Sequence, residues 1–304
     1  MSSLNNTVIV SSTSNTNFFI QLQLTSQYLS IVLGLIILIS GIVGNFLNIV
    51  IFFILGNYRR NACSFYMLSG SIMDTIFVVV GLITRTLSQG FLIDFTIQNK
   101  VWCKLRSYIL TTSSLCSFTC ICLQSIDAYF VSSRSQIWRQ KSNIRTARYL
   151  VIGFICLWLC HESPYLYFQD LIVNSNGTLP TCVNTNLIYS QYRAYFLSLG
   201  LTVIIPLIII ILFGFLTYRQ LQSLDIQERR SLSSLTTQMI QMVLAQIITV
   251  FLFQGSYAIT QAYFLATTYS IKSATTKAQE QVVNTFFSIY VYNIYAVSNF
   301  YVTK

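Results

Sequence analysis

Seven long apolar stretches run through this chain and cover most of it. Each is roughly 20 to 30 residues long, the length that a helix needs to cross a hydrocarbon core of about 30 Å. Lipid offers no partner for free backbone N–H and C=O groups, so such a stretch must be helical. The sequence therefore predicts a polytopic membrane protein, whose function lies inside a helical bundle.

The composition agrees with a bundle whose surface mostly faces lipid. Only 9% of the 304 residues are charged, whereas a typical soluble domain has about 25%. These spans leave no room for a soluble domain, so we expect a polar tail (1–27) and one all-α, seven-helix domain (28–304). The predicted spans are about 28–55, 64–87, 103–132, 146–168, 193–219, 235–264 and 282–303.

The net charge of +10 does not indicate nucleic-acid binding, because the basic residues are spread through the loops without a basic face or reader motif. The charges indicate topology instead. The loops after spans one, three and five hold the larger and denser set of arginines and lysines, so these loops are predicted to be cytoplasmic. The N-terminus is then outside and the C-terminus cytoplasmic.

Two glycosylation sequons agree with this orientation. Asn5 begins Asn-Asn-Thr in the tail, and Asn176 begins Asn-Gly-Thr in the loop after span four. Both lie on the predicted outer side, where glycosylation takes place. Chance occurrence is the alternative, since Asn, Ser and Thr are common in this chain.

Two of the eight cysteines are predicted to form a disulfide. Cys103 opens span three at the outer face, and Cys182 lies in the outer loop between spans four and five. An oxidising exterior favours joining them, which would fasten the loop across the top of the bundle; the alternative is two free thiols. No Cys/His spacing suggests a metal site, and His161 is the only histidine.

A set of short motifs gives the chain a resemblance to the rhodopsin-like (class A) G-protein-coupled receptors. The motifs follow the family's order, each on the matching span: Gly41 to Asn45, Asp74, Trp102-Cys103, Ser125 to Tyr129, Trp158, Pro206 and Asn299. The segment from Tyr58 to Asp74 further resembles the divergent orphan receptors that some small invertebrates carry in large sets.

The resemblance implies a receptor in the plasma membrane. An extracellular ligand would shift the population between two bundle arrangements, and the inner ends of spans three, five and six would open toward a heterotrimeric G protein. No enzyme activity is expected, because no nucleophile–base pair, metal cluster or phosphate loop is present. The lipid bilayer is the other expected partner.

Several positions depart from the family's pattern. Ala128 stands where the family has arginine, and Thr236 where many relatives have that arginine's acidic partner. Gln254 and Ser256 replace the tryptophan and proline of span six, and Phe300 the proline of span seven. These departures leave open a receptor-like protein that binds a ligand or partner without coupling. A transporter or channel ranks lower, because the chain lacks internal repeats.

Asp74 is the clearest candidate site inside the membrane, where an ionisable group is costly unless it is paired. On the family's layout its carboxylate faces Asn45, Ser117 and Asn299. Several oxygen donors around a carboxylate suit a sodium ion or a water cluster, and no other cofactor is expected. The alternative is a protonated, purely structural Asp74.

The resemblance also places a G-protein face at the inner end of span three, at Asp127, Ala128, Tyr129 and Arg134. Asp127 can stay hydrated there and cap the following loop. The five basic residues from Arg134 to Arg148 are interpreted first as topology and lipid-headgroup contacts. Docking of a G protein is the more specific alternative.

The ligand pocket is expected in the outer half of the bundle. Leu110 stands where amine receptors have aspartate, and Asn293 where opsins have lysine, so neither a biogenic amine nor retinal is expected. Arg85 would either meet an anionic or peptide C-terminal group or snorkel to the interface. A peptide or a small chemosensory molecule remains as the ligand. The predicted pocket residues are Arg85, Leu110, Ser114, Glu162, Tyr257, Gln261 and Tyr292.

Overall fold

The computed structural model describes residues 2–56, 59, 61–172, 180–223, 234–267, 270 and 272–302. Seven helical segments follow the seven predicted spans, and the span numbers are kept for them. Spans one to three are Ser2–Leu55, Ala62–Arg85 with a π-helical turn at Thr86–Gly90, and Lys100–Ser132. Span four is Ile144–Glu162, followed by the short helix Pro164–Phe168.

The last three spans contain two π-helical stretches. Span five joins Leu187–Tyr192, the π-helix Arg193–Ile204 and Ile205–Ser223, and span six is Ser234–Ala266. Span seven joins Ala274–Val283, the π-helix Asn284–Val291 and Tyr292–Val302. Short helices at Phe95–Gln98 and Gln136–Lys141 complete the described helical elements.

The helices have the length and composition of a membrane bundle. Six of the described helices, spans one to six, are long and apolar enough to cross a membrane. Large apolar side chains such as Ile36, Ile54 and Ile259 point outward and are exposed, as expected where lipid replaces water. The predicted all-α seven-helix fold is therefore confirmed.

Span one begins earlier than the sequence predicts. Its helix starts at Ser2, inside the segment expected to form a separate tail. Two contacts hold the helix around the predicted boundary: Ser26 Oγ lies 3.2 Å from Thr285 Oγ1, and Gln27 Nε2 donates to the Gly90 carbonyl at 2.8 Å. No helix break therefore marks the boundary expected at residue 28.

The core lies between spans one, two, three, five, six and seven. Phe118 stacks on Tyr295 with ring centroids 4.5 Å apart, and Tyr292 packs edge-on against Phe77 at 5.7 Å. Span one comes close at Gly41, where a Cβ atom would lie 2.8 Å from Val297 Cγ2. A larger side chain at this glycine would push spans one and seven apart.

A β-hairpin covers one end of the bundle. Strands β1 (Gln169–Ile172) and β2 (Thr181–Asn184) pair antiparallel, with Leu171 opposite Cys182. The Cys103–Cys182 disulfide ties β2 to the start of span three, with Cα atoms 5.9 Å apart. The predicted disulfide is confirmed, whereas the hairpin itself was not predicted.

Pro206 leaves its mark on span five, as its missing N–H predicts. The helix is π-helical up to Ile204 and α-helical from Ile205. In an α-helix the N–H of residue 206 would pair with the Thr202 carbonyl. That carbonyl instead accepts a hydrogen bond of 3.0 Å from Nε2 of Gln254 in span six.

Candidate functional site

A cavity of about 290 Å³ lies within the half of the bundle that carries the disulfide, here called the disulfide end. Spans two, three, five, six and seven line it, together with the short helix after span four. Five of the seven predicted pocket residues are on its wall, namely Arg85, Leu110, Ser114, Tyr257 and Tyr292. Glu162 and Gln261 are not among the lining residues.

Hydroxyl and aromatic side chains connect spans three, five, six and seven along the wall of the cavity. Ser114 Oγ lies 2.6 Å from the Tyr292 hydroxyl, and the Tyr257 and Tyr292 rings are 4.4 Å apart. The Tyr257 hydroxyl lies 3.3 Å from Ser198 Oγ in span five. A ligand against these side chains would thus contact a network that joins four spans.

Two arginines on the cavity wall, Arg106 and Arg193, are not among the pocket residues that the sequence analysis predicted. Arg106 lies three residues after Cys103, nearly one helical turn deeper in span three. Arg193 was taken as the first residue of span five, but the helix begins at Leu187 and carries Arg193 more than a turn inward. The spacing of Arg106 from Cys103 could have indicated that Arg106 lies inside the bundle. No sequence signal marked the start of the span-five helix at Leu187.

Neighbouring side chains orient both of these arginines. Arg106 Nε donates to Thr84 Oγ1 in span two at 2.8 Å. The Arg193 guanidinium lies over the Tyr165 ring, 4.0 Å from its centroid. Hydrogen bonding and cation–π contact therefore limit the positions that each guanidinium can take.

Glu162 belongs to a different group at the end of span four. Its side chain is fully buried, and Oε1 lies 2.8 Å from His161 Nδ1. His161 Nε2 is in turn 2.8 Å from the Tyr192 hydroxyl at the start of span five. This chain of contacts directs the Glu162 carboxylate toward His161.

The electrostatics of the hairpin and the adjoining loop are set by two acids outside the spans. Asp170 forms a 2.9 Å ion pair with Lys100, and the hydrogen bond from Lys100 lowers the pKa of Asp170. Partial burial raises the pKa of Asp94, but hydrogen bonds from Thr96 and Ser88 and the charge of Arg106 lower it below its ordinary value. Both acids therefore favour the ionised form.

Below the cavity, Asp74 lies fully buried between spans two and three. Ser117 Oγ donates to Asp74 Oδ1 at 2.5 Å. Asn45, also fully buried, donates from Nδ2 to the Ala296 carbonyl in span seven at 3.0 Å. The Asn45 Oδ1 atom is buried and has no hydrogen-bond partner among the described residues. Two residues of the predicted site, Asp74 and Asn45, thus each carry a buried side-chain oxygen acceptor, and the side chain of Asn299 lies outside the described part.

At the opposite end of the bundle, two residues of the predicted G-protein face are buried. Ala128 packs among apolar side chains, and Asp127 is only 5% exposed. Tyr129 packs edge-on against Phe213 of span five at 5.7 Å, and Arg134 donates to the Ser223 carbonyl. In this arrangement Arg134 is the exposed member of the predicted face.

A pair of glutamines joins spans three and six one turn from Ala128. Gln124 Nε2 donates to Gln246 Oε1 at 3.0 Å, and both side chains are buried. The sequence analysis missed this pair because it sought an ionic contact at Ala128 and Thr236.

The side chains of Thr236, Phe300 and Asn5, and all of Asn176, lie outside the described part of the chain.

Residues 44–300 match the family model of the 7 transmembrane receptor (rhodopsin family). The match covers well over half of the chain, which therefore belongs to this family. It is a family of receptors and not of enzymes, so the prediction of a non-enzymatic, multi-pass membrane receptor is confirmed. A search of curated proteins found no match to the chain.

Proposed function

We propose that this chain is a plasma-membrane receptor that binds an extracellular ligand in the disulfide-end cavity and signals through a heterotrimeric G protein. The proposal puts the disulfide end outside the cell and the arginine-rich loops inside, in keeping with the charge distribution. The ligand class is a peptide end or a small chemosensory molecule.

The cavity itself is the observation that carries this proposal. Its volume of about 290 Å³ is close to the lower limit of small-molecule sites. Residues on its wall also reach the packed interior, since Tyr292 contacts both Phe77 and Tyr295. A ligand that binds one arrangement of these aromatic rings more tightly would favour the corresponding arrangement of the spans.

A receptor-like protein that does not couple is the second candidate, and the buried Ala128 favours it. The described inner end of span three offers no arginine at this position for a G protein. The glutamine pair of Gln124 and Gln246 holds spans three and six together nearby, without a charge. Coupling would require these two side chains to separate when span six moves.

A sodium ion at Asp74 is part of the proposal. The carboxylate of Asp74 and the available Oδ1 of Asn45 are hard oxygen donors, the ligand type that small hard cations prefer. Ser117 already donates to Asp74, so its hydroxyl orients the carboxylate. A bound cation would offset the cost of keeping Asp74 ionised in the bundle.

G-protein dissociation in cells tests the proposed function, with surface display of the receptor confirmed. Basal signal and the signal evoked by peptide and small-molecule pools would be recorded for the native chain. Leu110→Trp, which fills the cavity, is expected to abolish the evoked signal. Ile152→Trp is the matched control, because Ile152 is exposed on the outside of span four and its replacement leaves the cavity unchanged.

The results of this experiment separate a coupled receptor from a protein that does not couple, and they test whether the ligand binds in the cavity. An evoked signal that Leu110→Trp removes and Ile152→Trp retains supports a coupled receptor with its ligand in the cavity. A native chain that is displayed at the surface but silent toward every pool contradicts coupling and favours the second candidate. An evoked signal that survives Leu110→Trp would move the ligand site away from the cavity.

A further inference from the structure

We infer that the ligand of the disulfide-end cavity carries an oxyanion, a carboxylate or a phosphate monoester, which binds to Arg85, Arg106 and Arg193. The inference rests on the proposed function only in taking the cavity as the ligand site. It is carried by the presence of three arginines, from spans two, three and five, on the wall of one small cavity.

The charge of the cavity wall favours an anion. Among the described residues that line the cavity, three are arginines and none is acidic. A half-buried cation loses part of its hydration, and neighbouring like charges add repulsion. A ligand oxyanion would offset both costs, whereas an ammonium ligand would increase them.

No acid among the described residues cancels this charge from the cavity wall itself. Asp94 acts electrostatically on Arg106, but its oxygens accept hydrogen bonds from Thr96 and Ser88. Glu162 is turned toward His161. Neither acid lines the cavity, whereas the three arginines do.

Arg106 and Arg193 are held in orientations that leave donors for a ligand. An arginine has five N–H donors, and the contact of Arg106 with Thr84 uses only Nε. Arg193 stacks on Tyr165, and the buried Arg193 Nε atom has no hydrogen-bond partner among the described residues. A carboxylate or phosphate would satisfy such donors, and the planar guanidinium fork fits both groups.

The rest of the wall indicates what accompanies the anionic group. Leu110, Leu197, Phe77 and the Tyr257 ring supply apolar and aromatic surface. Together with the volume of about 290 Å³, this surface suits a compact apolar or aromatic body. We therefore expect a small aromatic or branched acid, or the carboxyl end of a peptide.

Binding to the purified full-length chain in lipid nanodiscs tests the inference, without any G protein. The probes are arylalkyl carboxylates with two to four methylene groups, the matched primary amides, and the matched phosphate monoesters with their parent alcohols. Calorimetry and the shift of the thermal unfolding midpoint would measure binding. At least one acid is expected to bind ten-fold or more tightly than its neutral counterpart, and the two acid series tell carboxylate from phosphate.

Substitution of the arginines assigns the contact. Arg85→Gln, Arg106→Gln and Arg193→Gln are each expected to weaken the acid ten-fold or more and to leave the amide unchanged. Arg148→Gln is the matched control, since Arg148 is exposed at the opposite end of the bundle. Where a glutamine variant unfolds, the corresponding lysine variant keeps the charge but loses the fork, and an intermediate loss of affinity is expected.

The inference is overturned if no acid in either series binds more tightly than its neutral partner, or if the three substitutions leave acid binding unchanged. The same experiments distinguish a failure of this inference from a failure of the proposed function. Acid binding by the purified chain, with no G-protein signal in cells, retains the anion site and contradicts coupling. A neutral ligand that evokes a signal through the cavity, with no acid bound, retains the receptor and contradicts the anion site.

Discussion

The side-chain amide of Gln254 donates a 3.0 Å hydrogen bond to the Thr202 carbonyl, the carbonyl that stands four residues before Pro206. Pro206 has no N–H to offer it. Gln254 is fully buried and occupies the position where the family has tryptophan. Span six thus supplies the donor that span five lacks, and Thr202 also lines the cavity. Gln254, which departs from the family's pattern, and Pro206, which matches it, are therefore linked through the Thr202 carbonyl.

Gln254→Leu is expected to lower the free energy of unfolding by about 1–3 kcal/mol, because it leaves the buried Thr202 carbonyl without this donor. Thermal unfolding of the purified chain would measure the loss. In the Pro206→Ala background, residue 206 has an N–H for this carbonyl, so the same Gln254→Leu change should cost less. Equal losses in both backgrounds would show that the contact does not depend on Pro206.

Sodium is expected to raise the unfolding midpoint of the native chain and not that of Asp74→Asn. The substitution keeps the size of the side chain but removes the charge that would bind a cation. Titration with sodium chloride, against N-methylglucamine chloride at equal ionic strength, separates ion binding from screening. A native midpoint that responds equally to both salts would support the structural alternative for Asp74.

Acid is expected to destabilise the native chain more than Asp94→Asn. The lowered pKa of Asp94 means that the folded state holds its proton less tightly than the unfolded chain does. This stabilising contribution is present above the ordinary carboxyl pKa of about 3.9 and is lost as the pH falls through the lowered value. Unfolding midpoints from pH 7 to pH 3 would show it. Parallel curves for the native and Asp94→Asn chains would contradict the prediction.

Much of the fold could be predicted because lipid imposes simple rules on a sequence. Span length and the pairing of the two outer cysteines each follow from a single physical constraint, and the helices and the disulfide agree with them. The hairpin could not be predicted, because its four-residue strands carry too short a pattern. The contacts of Ser26 and Gln27 could not be predicted either, because they join residues far apart in the chain.

Only some residues of the candidate site could be predicted from the sequence. Arg85 and Tyr292 were both predicted to lie in the outer half of the bundle, and both line the cavity. Arg193 was missed because its place depends on where the helix of span five begins, and the apolar pattern does not mark that point. The partnership of Gln254 with Thr202 was missed because it joins residues far apart in the chain. Each position was considered alone, whereas the structure shows the pair.

Ala128→Arg is expected to destabilise the chain before it affects any signalling. Ala128 is 3% exposed and packs in a cluster with Phe52, Met67, Leu68 and Val243. A long charged side chain has no space there, and overpacking alone costs about 1–3 kcal/mol. Desolvation of the charge adds to this cost unless the arginine reaches Asp127 or the membrane surface. A lower unfolding midpoint and reduced surface display are the expected results.

Ala128→Ser is the matched control, because it adds one small polar atom without filling the cluster, and it should retain most of the native stability. A fully stable Ala128→Arg chain would show that span six or span one moves readily to admit the side chain. In that case a gain of G-protein signal, measured at equal surface display, could be assigned to the arginine itself. If Ala128→Arg loses stability as expected, the absence of a G-protein signal from it reflects the disrupted apolar packing around residue 128. Coupling then has to be judged from the native chain.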